Sequence, residues 1–476
     1  MNEQADRGVG STEPRGSEGA GFAGAGAELI ERIWSRDAAV WTGSGEGKWL
    51  GWLDEPWRAR EDVDLLLQFA ESALERADDV VLLGMGGSSL APEVIRRTFG
   101  AERFHVLDTT HPQAIRELEA RIDVARTLFV SASKSGSTLE TRSHTDFFWE
   151  KTGRKGDRFV AITDPGSALE QLAREREFAA VFYGEPTIGG RYSALSAFGM
   201  VPAALMGVDL ARLLERAQEM ADACRLAEGN PGLELGLELG EGWREGRDKI
   251  CIETSPTGFG LWAEPLLAES TGKQGKGLIP APGEPADGAD RQGHEVRLSG
   301  DYELGQEFFR WEFATAVAGA ILEINPFDQP DVQAAKDKTN EVLASGSEPD
   351  VSPHGSPAEL FAQANDGDYV CIQAFVDPTP ANEARVLALA VQAREATGCV
   401  VTHGFGPRYL HSTGQLHKGG PATGLYLQVV DDTGPELAIP GKPFGFGKLI
   451  RAQAAGDFAS LQERGRRVAR IRLEDN

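Results

Sequence analysis

The sequence predicts an α/β protein with mostly parallel sheets flanked by helices, and three observations support this fold class. Short apolar runs typical of strands alternate with helix-length segments between residues 80 and 163. Because parallel neighbours need a long crossover, this alternation predicts βαβ units. The alternation restarts near residue 247, and again after the Gly-, Ser- and Pro-rich stretch 343–356, which is typical of a linker. We therefore predict two such lobes and a smaller C-terminal α/β unit.

Each predicted element rests on its own pattern. Apolar runs predict strands at residues 80–83, 104–107, 128–131, 159–163, 249–253, 296–298, 369–376, 399–402 and 424–430. Longer periodic segments predict helices that start near residues 92 and 139, and helices over residues 260–267, 304–322 and 381–396. The first residues are mostly Gly, Ser, Glu and Ala, which is typical of disorder. The predicted domains are a disordered tail at 1–27, a first lobe at 28–210, a second lobe at 211–345 and the C-terminal unit at 346–476.

Composition and charge exclude several kinds of partner. The formal net charge of −25 would repel nucleic acid and anionic lipid, so neither a nucleic-acid nor a membrane partner is expected. The arginines between 464 and 472 are instead predicted to lie on a helix whose side-chain stems pack on the acidic body. No apolar run approaches the roughly 18–20 residues of a membrane helix, and no secretory signal pattern opens the sequence.

The cysteines and the other metal-ligand residues suggest a cytoplasmic protein without a metal. The four cysteines are far apart in sequence, as expected for buried free thiols in a reducing compartment. The sequence contains no recognisable metal motif, so we expect neither a metal nor another cofactor.

The first candidate for binding an anion is the strand-to-helix turn at residues 84–89, which contains Gly87 and Ser88. Backbone N–H groups in such a turn can converge on a phosphate at a helix N-terminus. An ordinary tight turn explains the same glycines equally well. A dinucleotide fingerprint is poorly supported, because Ser89 stands where its third glycine should be.

The second candidate is the turn at residues 133–138, with four hydroxyl side chains, a lysine and a glycine. Hydroxyl and backbone N–H groups at a helix start suit a phosphate monoester. The alternative is a helix cap, but a cap needs only one hydroxyl and has no use for the lysine. We therefore favour phosphate binding by Ser133, Lys134, Ser135 and Thr138. Both turns follow strands of one predicted sheet, and ligands bind at the carboxyl edge of such sheets.

Two further residues could take part in anion binding or in catalysis. Arg191 follows two glycines and could bind an oxyanion, although a lone arginine more often forms a surface ion pair. Glu269 precedes Ser-Thr-Gly-Lys and could be a poised base. The alternative for this segment is a helix end capped by Gly272.

Two further residues stand in polar segments. Lys336 follows the Asn-Pro-Phe-Asp-Gln-Pro segment at 325–330 and could equally be a solvated lysine. His411 opens a Gly-containing polar segment at 411–417, which is more typical of a binding loop than of a core.

In combination, these segments resemble the glucose-6-phosphate isomerase family, which has two sugar-isomerase (SIS) lobes. Gly-Gly-Arg-Tyr-Ser at 189–193 resembles one family signature, and Asn-Pro-Phe-Asp-Gln at 325–329 resembles the start of another. The two anion-binding turns and the segment 269–273 also match in family order. The likeness covers roughly residues 28–336. The whole chain is most similar to the isomerase half of bifunctional transaldolase/phosphoglucose isomerase proteins, and no transaldolase barrel is expected in it.

The resemblance implies reversible isomerisation of glucose 6-phosphate and fructose 6-phosphate through a cis-enediol, a step of glycolysis and gluconeogenesis. Under this interpretation Glu269 is the base, Arg191 stabilises the enediolate, and Lys336 helps to open the sugar ring. The residues expected to hold the sugar phosphate are Gly87, Ser88, Ser133, Lys134, Ser135, Thr138 and Gln329. The resemblance implies no cofactor. A homodimer stays open, since ordinary members of the family share a catalytic histidine between two subunits.

The position of that histidine is the main departure from the family pattern. The family has a His-x-x-x-Gln segment between its glutamate and its lysine, but the only histidine in that interval here is His294. The pattern occurs instead at residues 411–415, so we predict that His411 is the catalytic histidine. The fallback candidates are His294 and Glu307. Asp331 also stands where the family usually has a glycine.

Two other functions fit part of this pattern. A non-catalytic SIS protein that senses a sugar phosphate would need the two turns, but not Glu269, Arg191 and Lys336 together. An isomerase that uses both glucose and mannose phosphates would differ in its handling of C2 stereochemistry, which these motifs do not report.

Overall fold

The computed structural model describes residues 18–255 and 258–473, and its first lobe contains a five-stranded parallel sheet. The strands are β1 (Asp79–Leu83), β2 (Phe104–Leu107), β3 (Thr127–Ala132), β4 (Phe159–Thr163) and β5 (Ala180–Tyr183), in the order β2-β1-β3-β4-β5. The surrounding helices are α1 (Glu18–Trp34), α2 (Glu55–Glu61), α3 (Val63–Leu74), α4 (Leu90–Phe99), α5 (Pro112–Arg121), α6 (Leu139–Lys151), α7 (Ala168–Glu175) and α8 (Ala197–Leu205). Strands β3 and β4 are buried along their whole length, because helices cover both faces of a parallel sheet.

The second lobe has a smaller parallel sheet and long helices. Its strands are β6 (Lys249–Ser255), β7 (Ile279–Pro282) and β8 (Arg291–Arg297), in the order β7-β6-β8. Its helices are α9 (Leu210–Ala223), α10 (Pro231–Arg244), α11 (Phe259–Thr271), α12 (Leu304–Ile321) and α13 (Gln333–Ala344). Helix α12 is buried on most of its surface, which explains why its sequence is apolar all round.

The C-terminal unit has a four-stranded parallel sheet. Its strands are β9 (Tyr369–Phe375), β10 (Val400–Phe405), β11 (Gly424–Val430) and β12 (Arg467–Arg472), in the order β10-β9-β11-β12. The helices are α14 (Pro357–Phe361), α15 (Pro380–Thr397), α16 (Gly414–Gly419) and α17 (Phe446–Glu463). Three parallel sheets flanked by helices confirm the predicted α/β class with its smaller C-terminal unit.

The structure corrects the sequence-based assignment in three places. The arginine-rich end is strand β12 and not a helix, and its Arg470 side chain donates to Gln428 Oε1 at 2.6 Å. Strands β5 and β7 were not predicted: β5 is a short edge strand without a fully buried residue, and β7 contains two prolines. Helix α1 begins at Glu18, so residues 18–27 of the predicted tail are helical; several alanines favour this helix. The rest of that tail lies outside the described residues.

The C-terminal unit packs against the first lobe beside the carboxyl ends of its strands. Thr110, just after β2, donates through its hydroxyl to Gln453 Oε1 at 2.7 Å. The neighbouring His111 lies with its Nε2 3.1 Å from Asp431 Oδ1. The Phe446 ring stacks on His144, with ring centres 5.5 Å apart. This packing places the segment around residue 411 next to the turns that follow β1 and β3. No helix within the described residues is long and apolar enough to cross a membrane.

Candidate active site

The two predicted anion-binding turns are neighbours at one edge of the first sheet. Strands β1 and β3 are adjacent, and the chain runs from β1 to β2 on one side but from β3 to β4 on the other. Such a reversal opens a crevice at the carboxyl ends of the two strands, where ligands of these sheets bind. The turn 84–89 follows β1 and the turn 133–138 follows β3. The topology therefore confirms that both turns face one crevice.

The glycine turn after β1 contacts two other candidate segments. Gly86 has φ +54°, and a Cβ on it would lie 2.2 Å from the His411 carbonyl oxygen. A Cβ on Gly87 would lie 2.4 Å from the Gly190 carbonyl carbon, immediately before Arg191. Ser88 is buried in the short 3₁₀ helix that completes the turn. The glycines are required here because the backbone of the turn packs directly against the backbones of both segments.

The hydroxyl turn after β3 is organised by its own side chains. Ser133 Oγ lies 2.9 Å from Thr138 Oγ1 and accepts the Gly136 N–H at 3.1 Å. Ser135 and Ser137 are exposed, with their hydroxyl oxygens 2.8 Å apart. Thr138 is the N-cap residue of α6, but its side chain makes no capping hydrogen bond. The capping alternative therefore does not explain Thr138, and the N-terminus of a 13-residue helix is left open toward the crevice.

The Lys134 side chain lies elsewhere. Its Nζ is 2.8 Å from Asp164 Oδ1 and donates to the Glu185 carbonyl oxygen at 3.1 Å. The ammonium also sits over the Phe198 ring, 5.5 Å from its centre. The structure therefore separates the Lys134 charge from the hydroxyls that surround it in sequence.

Arg191 and Glu269 form a buried pair, with Arg191 2% exposed and Glu269 8% exposed. Arg191 lies in a short 3₁₀ helix, Gly190–Tyr192, and Glu269 lies in the last turn of α11. The Arg191 N–H groups donate to Glu269 Oε2 (3.1 Å), Ser270 Oγ (2.8 Å), Gln329 Oε1 (2.7 Å) and the carbonyl oxygens of Pro326 (2.7 Å) and Asp328 (2.9 Å). These contacts join the three segments that carry Arg191, Glu269 and Gln329.

Burial raises the pKa of the Glu269 carboxyl, and the positive charges of Arg191 and His411 only partly oppose this effect. Lys273, one helical turn later, has its pKa lowered to about 8, first because it is buried and then because Arg191 is close. The Lys273 ammonium donates to the carbonyl oxygens of Asn325 and Asp328 and to Asp328 Oδ1. The Glu269 carboxyl is therefore easier to protonate than an exposed glutamate. The side chains of Arg191 and Lys273 link its helix to the segment 325–329.

His411 is paired with a carboxylate from the first lobe. Its Nε2–H donates to Glu140 Oε1 at 2.9 Å, and the same oxygen accepts the Gln453 amide at 2.6 Å. Burial alone would raise the pKa of Glu140, but the charge and hydrogen bond of His411, aided by Lys336, outweigh it and lower that pKa to about 2. Glu140 is therefore ionised near neutral pH and orients the His411 imidazole.

A cavity of about 330 Å³ lies between the hydroxyl turn, α13 and the His411 segment. Its wall contains residues from the hydroxyl turn, α6, α13 and the His411 segment: Ser135, Ser137, Thr138, Leu139, Glu140, Val332, Gln333, Lys336, Thr339, Asn340, Leu410, His411 and Gln453. Lys336 is exposed on α13 and belongs to this wall. The structure thus brings the hydroxyl turn, His411 and Lys336 together in one cavity wall. The described lining of this cavity does not include Gly87 and Ser88, nor the buried group of Arg191, Glu269 and Gln329.

Residues 68–233 match the family model of phosphoglucose isomerase. The chain is 34% identical over 218 residues to a glucose-6-phosphate isomerase of Trichormus variabilis, a match that covers 42% of this chain and 41% of the relative. It is 37% identical over 202 residues to a glucose-6-phosphate isomerase of Thermus thermophilus, covering 40% of this chain and 48% of the relative. The chain thus spans less than half the length of each of these relatives.

A solved structure shares the fold. A glucose-6-phosphate isomerase from Chlamydia trachomatis superimposes with a TM-score of 0.57 and 19% identity, covering 69% of this chain and 85% of that chain. The residues that match the phosphoglucose isomerase family model, 68–233, include the turns at 84–89 and 133–138 and Arg191. Glu269, Lys336 and His411 lie beyond its last matched residue.

The fallback candidates for the histidine are engaged elsewhere. His294 lies on β8, with its ring 6.0 Å from that of Trp311, and burial lowers its pKa to about 4. Glu307 pairs with Arg310 at 2.7 Å and accepts the Trp311 indole N–H. Neither side chain belongs to the cavity wall, so the structure favours His411 over both.

Sequence reasoning missed Glu140 and Gln453 as site residues. Glu140 stands two positions after the hydroxyl turn, but a carboxylate in the first turn of a helix is common and carries no special signal. Its partner His411 is 271 residues away, and Gln453 is 313 residues away. Only the docking of the C-terminal unit on the first lobe shows that the three side chains form one hydrogen-bonded group.

Proposed function

We propose that this chain belongs to the phosphoglucose isomerase family and catalyses the reversible isomerisation of glucose 6-phosphate and fructose 6-phosphate. The observation that carries the proposal is that a histidine paired with a carboxylate lines one cavity together with the hydroxyl turn. An arginine that holds a buried carboxyl follows Gly190, which packs on the same glycine turn as the His411 backbone. A protein that only bound a sugar phosphate would need the hydroxyl turn but not the other two groups. The partial sequence matches support the same activity.

In the proposed mechanism, Glu269 moves a proton between C2 and C1 of the open-chain sugar. Its carboxylate takes the C2 proton of the aldose, the C2–H electron pair forms the enediol double bond, and the carbonyl oxygen at C1 gains negative charge. The C1 oxygen then gains a proton and the C2 hydroxyl loses its own, so that the C2–O bond becomes the new carbonyl as the enediol double bond takes the carbon-bound proton back at C1. One base thus serves both proton transfers at carbon. Arg191 lies beside Glu269 and stabilises the charge that develops on the sugar oxygens.

Ring opening requires a proton at the ring oxygen and the loss of one from the anomeric hydroxyl. The Glu140 carboxylate fixes the orientation of the His411 imidazole in the cavity wall, so we assign His411 to donate a proton to the ring oxygen. Lys336 is in the same cavity wall and is assigned to the complementary transfer at the anomeric hydroxyl.

The phosphate is assigned to the hydroxyl turn. Ser135 and Thr138 present hydroxyls to the cavity, and the open N-terminus of α6 adds backbone N–H donors. Ser133 shapes the turn through Thr138 and Gly136, and Ser88 with Gly87 forms the adjacent turn. Binding the phosphate here uses a part of the substrate that does not react to position the carbons that do.

The direct test is conversion of fructose 6-phosphate to glucose 6-phosphate by the purified protein after EDTA treatment. Production of glucose 6-phosphate is followed with a coupling enzyme that accepts only that sugar phosphate. Turnover well above a mock purification supports the proposal, and turnover at background contradicts it. Offering mannose 6-phosphate in the same assay separates this activity from the mixed alternative.

Thr138→Ala is expected to raise KM for the sugar phosphate and also to lower kcat. Thr138 makes no capping bond, so the loss should act on the substrate and not on the stability of α6. Part of the phosphate binding energy orients the reacting carbons, so both constants should change.

The matched control for Thr138→Ala is Ser356→Ala. Ser356 is the N-cap of α14 and accepts the Glu359 N–H, so its loss should cost about 1 kcal/mol of folding free energy and leave KM unchanged. Equal kinetics for Thr138→Ala and the parent would show that this hydroxyl does not contact substrate.

Arg191→Met is expected to move the acid limb of the kcat/KM profile to higher pH. The Arg191 charge lowers the pKa of Glu269, so removing that charge raises the pKa, and the base form is lost at a higher pH as acid is added. The maximal rate should also fall about 10²–10³-fold, as for the loss of an oxyanion donor. Arg191→Lys keeps a charge and should move the limb less. An acid limb that stays in place in Arg191→Met would show that Glu269 does not control it.

Three finer features belong to the same proposal. The likeness to the isomerase half of bifunctional transaldolase/phosphoglucose isomerase proteins rests on the sequence motifs. A cytoplasmic location is supported by four buried, unpaired cysteines. The boundaries 28–210, 211–345 and 346–476 are supported by the three sheets, each of which falls within one of them.

A further inference from the structure

The side chain of Gln415 is fully buried and uses all of its amide groups in one cluster. Its Nε2 donates to the Gly272 carbonyl oxygen at 2.9 Å and to Asp331 Oδ2 at 2.8 Å. Its Oε1 accepts the Asp331 backbone N–H at 2.9 Å. Arg464 closes the cluster, because its Nη1 lies 3.0 Å from the other carboxylate oxygen of Asp331. We call Gln415, Asp331, Arg464 and the Gly272 carbonyl the Gln415 cluster.

The cluster joins the three segments that carry the proposed acid–base residues. Gly272 follows Glu269 at the end of α11. Gln415 follows His411 by one turn, on α16. Asp331 lies between Gln329 and Lys336, just before α13. Gln415 is bonded to both other segments, so a displacement of the His411 segment would break hydrogen bonds to each of them.

The backbone around the cluster leaves little room for adjustment. Gly275 N–H donates to the Gly419 carbonyl oxygen at 2.9 Å, so the residues after α11 and the end of α16 are also bonded directly. A Cβ on Gly419 would lie 2.3 Å from Asp331 Oδ2 and 2.7 Å from Gln415 Nε2. The Arg464 guanidinium also donates to the Lys418 carbonyl oxygen. The C-terminal unit is therefore docked on the second lobe at this cluster, and on the first lobe through Glu140 and Gln453.

We propose that Asp331 and Gln415 are positioning residues, which hold His411 against Glu140 and at a defined distance from Glu269. The proposal deepens the proposed isomerase function and rests on it. Asp331 stands where the resemblance leads one to expect glycine, and a glycine there would leave one Gln415 N–H without its carboxylate acceptor. Asp331 thus binds Gln415 and thereby anchors the segment that carries His411.

The experiment compares Asp331→Ala with Asp331→Asn. The asparagine side chain keeps an oxygen that can accept the Gln415 N–H, whereas alanine does not. Asp331→Ala should lower turnover of the cyclic substrate about 10- to 100-fold, as expected when a reacting group is misplaced by about 1 Å. It should spare solvent exchange of the C2 proton on the open-chain form, which depends on Glu269. Asp331→Asn should recover most of the loss.

Two further measurements separate positioning from general damage. In a protein that already carries His411→Ala, Asp331→Ala should cause no additional loss, because the group it positions is absent. In isotope-labelled protein, the His411 ring resonance at fixed pH should shift in Asp331→Ala and return in Asp331→Asn. This resonance needs no substrate, so it tests the cluster even if the parent protein proves inactive as an isomerase.

The outcomes are distinct for the two proposals. A parent without turnover contradicts the isomerase function alone. An unchanged His411 resonance in Asp331→Ala overturns the positioning role. The positioning role is also overturned if Asp331→Ala lowers activity equally on cyclic and open-chain substrate. It is likewise overturned if the loss in Asp331→Ala adds to the loss caused by His411→Ala.

Discussion

Glu269→Gln should bind fructose 6-phosphate almost as the parent does but lose at least about 10²–10⁴-fold in turnover, the range of a general-base contribution. The amide has nearly the same shape and can still accept a hydrogen bond from Arg191, so the surroundings of α11 should be preserved. It cannot take a proton from carbon, and the structure places no other carboxylate beside Arg191 among the described contacts of that guanidinium.

The measurement is exchange of the C2 hydrogen with deuterated solvent, followed together with turnover. Both should be lost in Glu269→Gln. The matched control is Glu264→Gln on the same helix, since burial also raises the pKa of that carboxyl, to about 7. Glu264 lines a different cavity, between β2 and β10, so its substitution should leave both rates close to those of the parent. Exchange that persists in Glu269→Gln would assign the base to another group.

His411→Ala should strongly impair turnover of the cyclic sugar phosphate and spare C2 proton exchange on an open-chain analogue. Ring opening and proton transfer are separate steps, and His411 is assigned only to the first. We expect a loss within about 10²–10⁴-fold for the cyclic substrate. Glu140→Gln should cause a smaller loss of the same kind, because it leaves the imidazole in place but removes the carboxylate that orients it.

His294→Ala is the matched control, since His294 is the only histidine between Glu269 and Lys336 in the sequence. Its ring packs against Trp311, away from the cavity, so turnover should be nearly unchanged. If His294→Ala is inactive while His411→Ala is not, the assignment of the histidine is wrong. An equal loss on cyclic and open-chain forms in His411→Ala, with a lower Tm, would indicate a structural role.

The pairing of His411 with Glu140 of the same chain leads to a test by mixing. Glu269→Gln and His411→Ala proteins are unfolded together, refolded together and assayed. If each site takes both residues from one chain, the mixture should have no more activity than its components. Recovery of activity would show that His411 acts in the site of a partner chain.

Much of the fold could be predicted from local sequence. Strand β4 was predicted with its observed bounds, and β1, β2 and β3 to within one residue at each end, because buried parallel strands are continuous apolar runs. Their order placed the turns at 84–89 and 133–138 on one sheet edge. Strand β7 was missed because it contains two prolines, which are uncommon within strands. Strand β5 was missed although it is as long as β2; it is an edge strand without a fully buried residue.

The direction of individual side chains depended on packing that local patterns do not encode. Lys134 has hydroxyl residues on both sides in sequence, yet its ammonium pairs with Asp164, which follows the neighbouring strand β4. The arginines at 464–472 alternate with apolar residues over a length that fits a helix or a strand, and pairing with β11 decided for the strand.

The sequence by itself determined the α/β class and the positions of the turns 84–89 and 133–138 after strands of one sheet, because these depend on residues that are close together in the chain. The tertiary structure decided which groups from distant segments meet. His411 reaches Glu140 across 271 residues, and Gln415 reaches Asp331 across 84. Such contacts arise only when the C-terminal unit packs on both lobes, because buried polar groups must then find partners on whichever surface they meet.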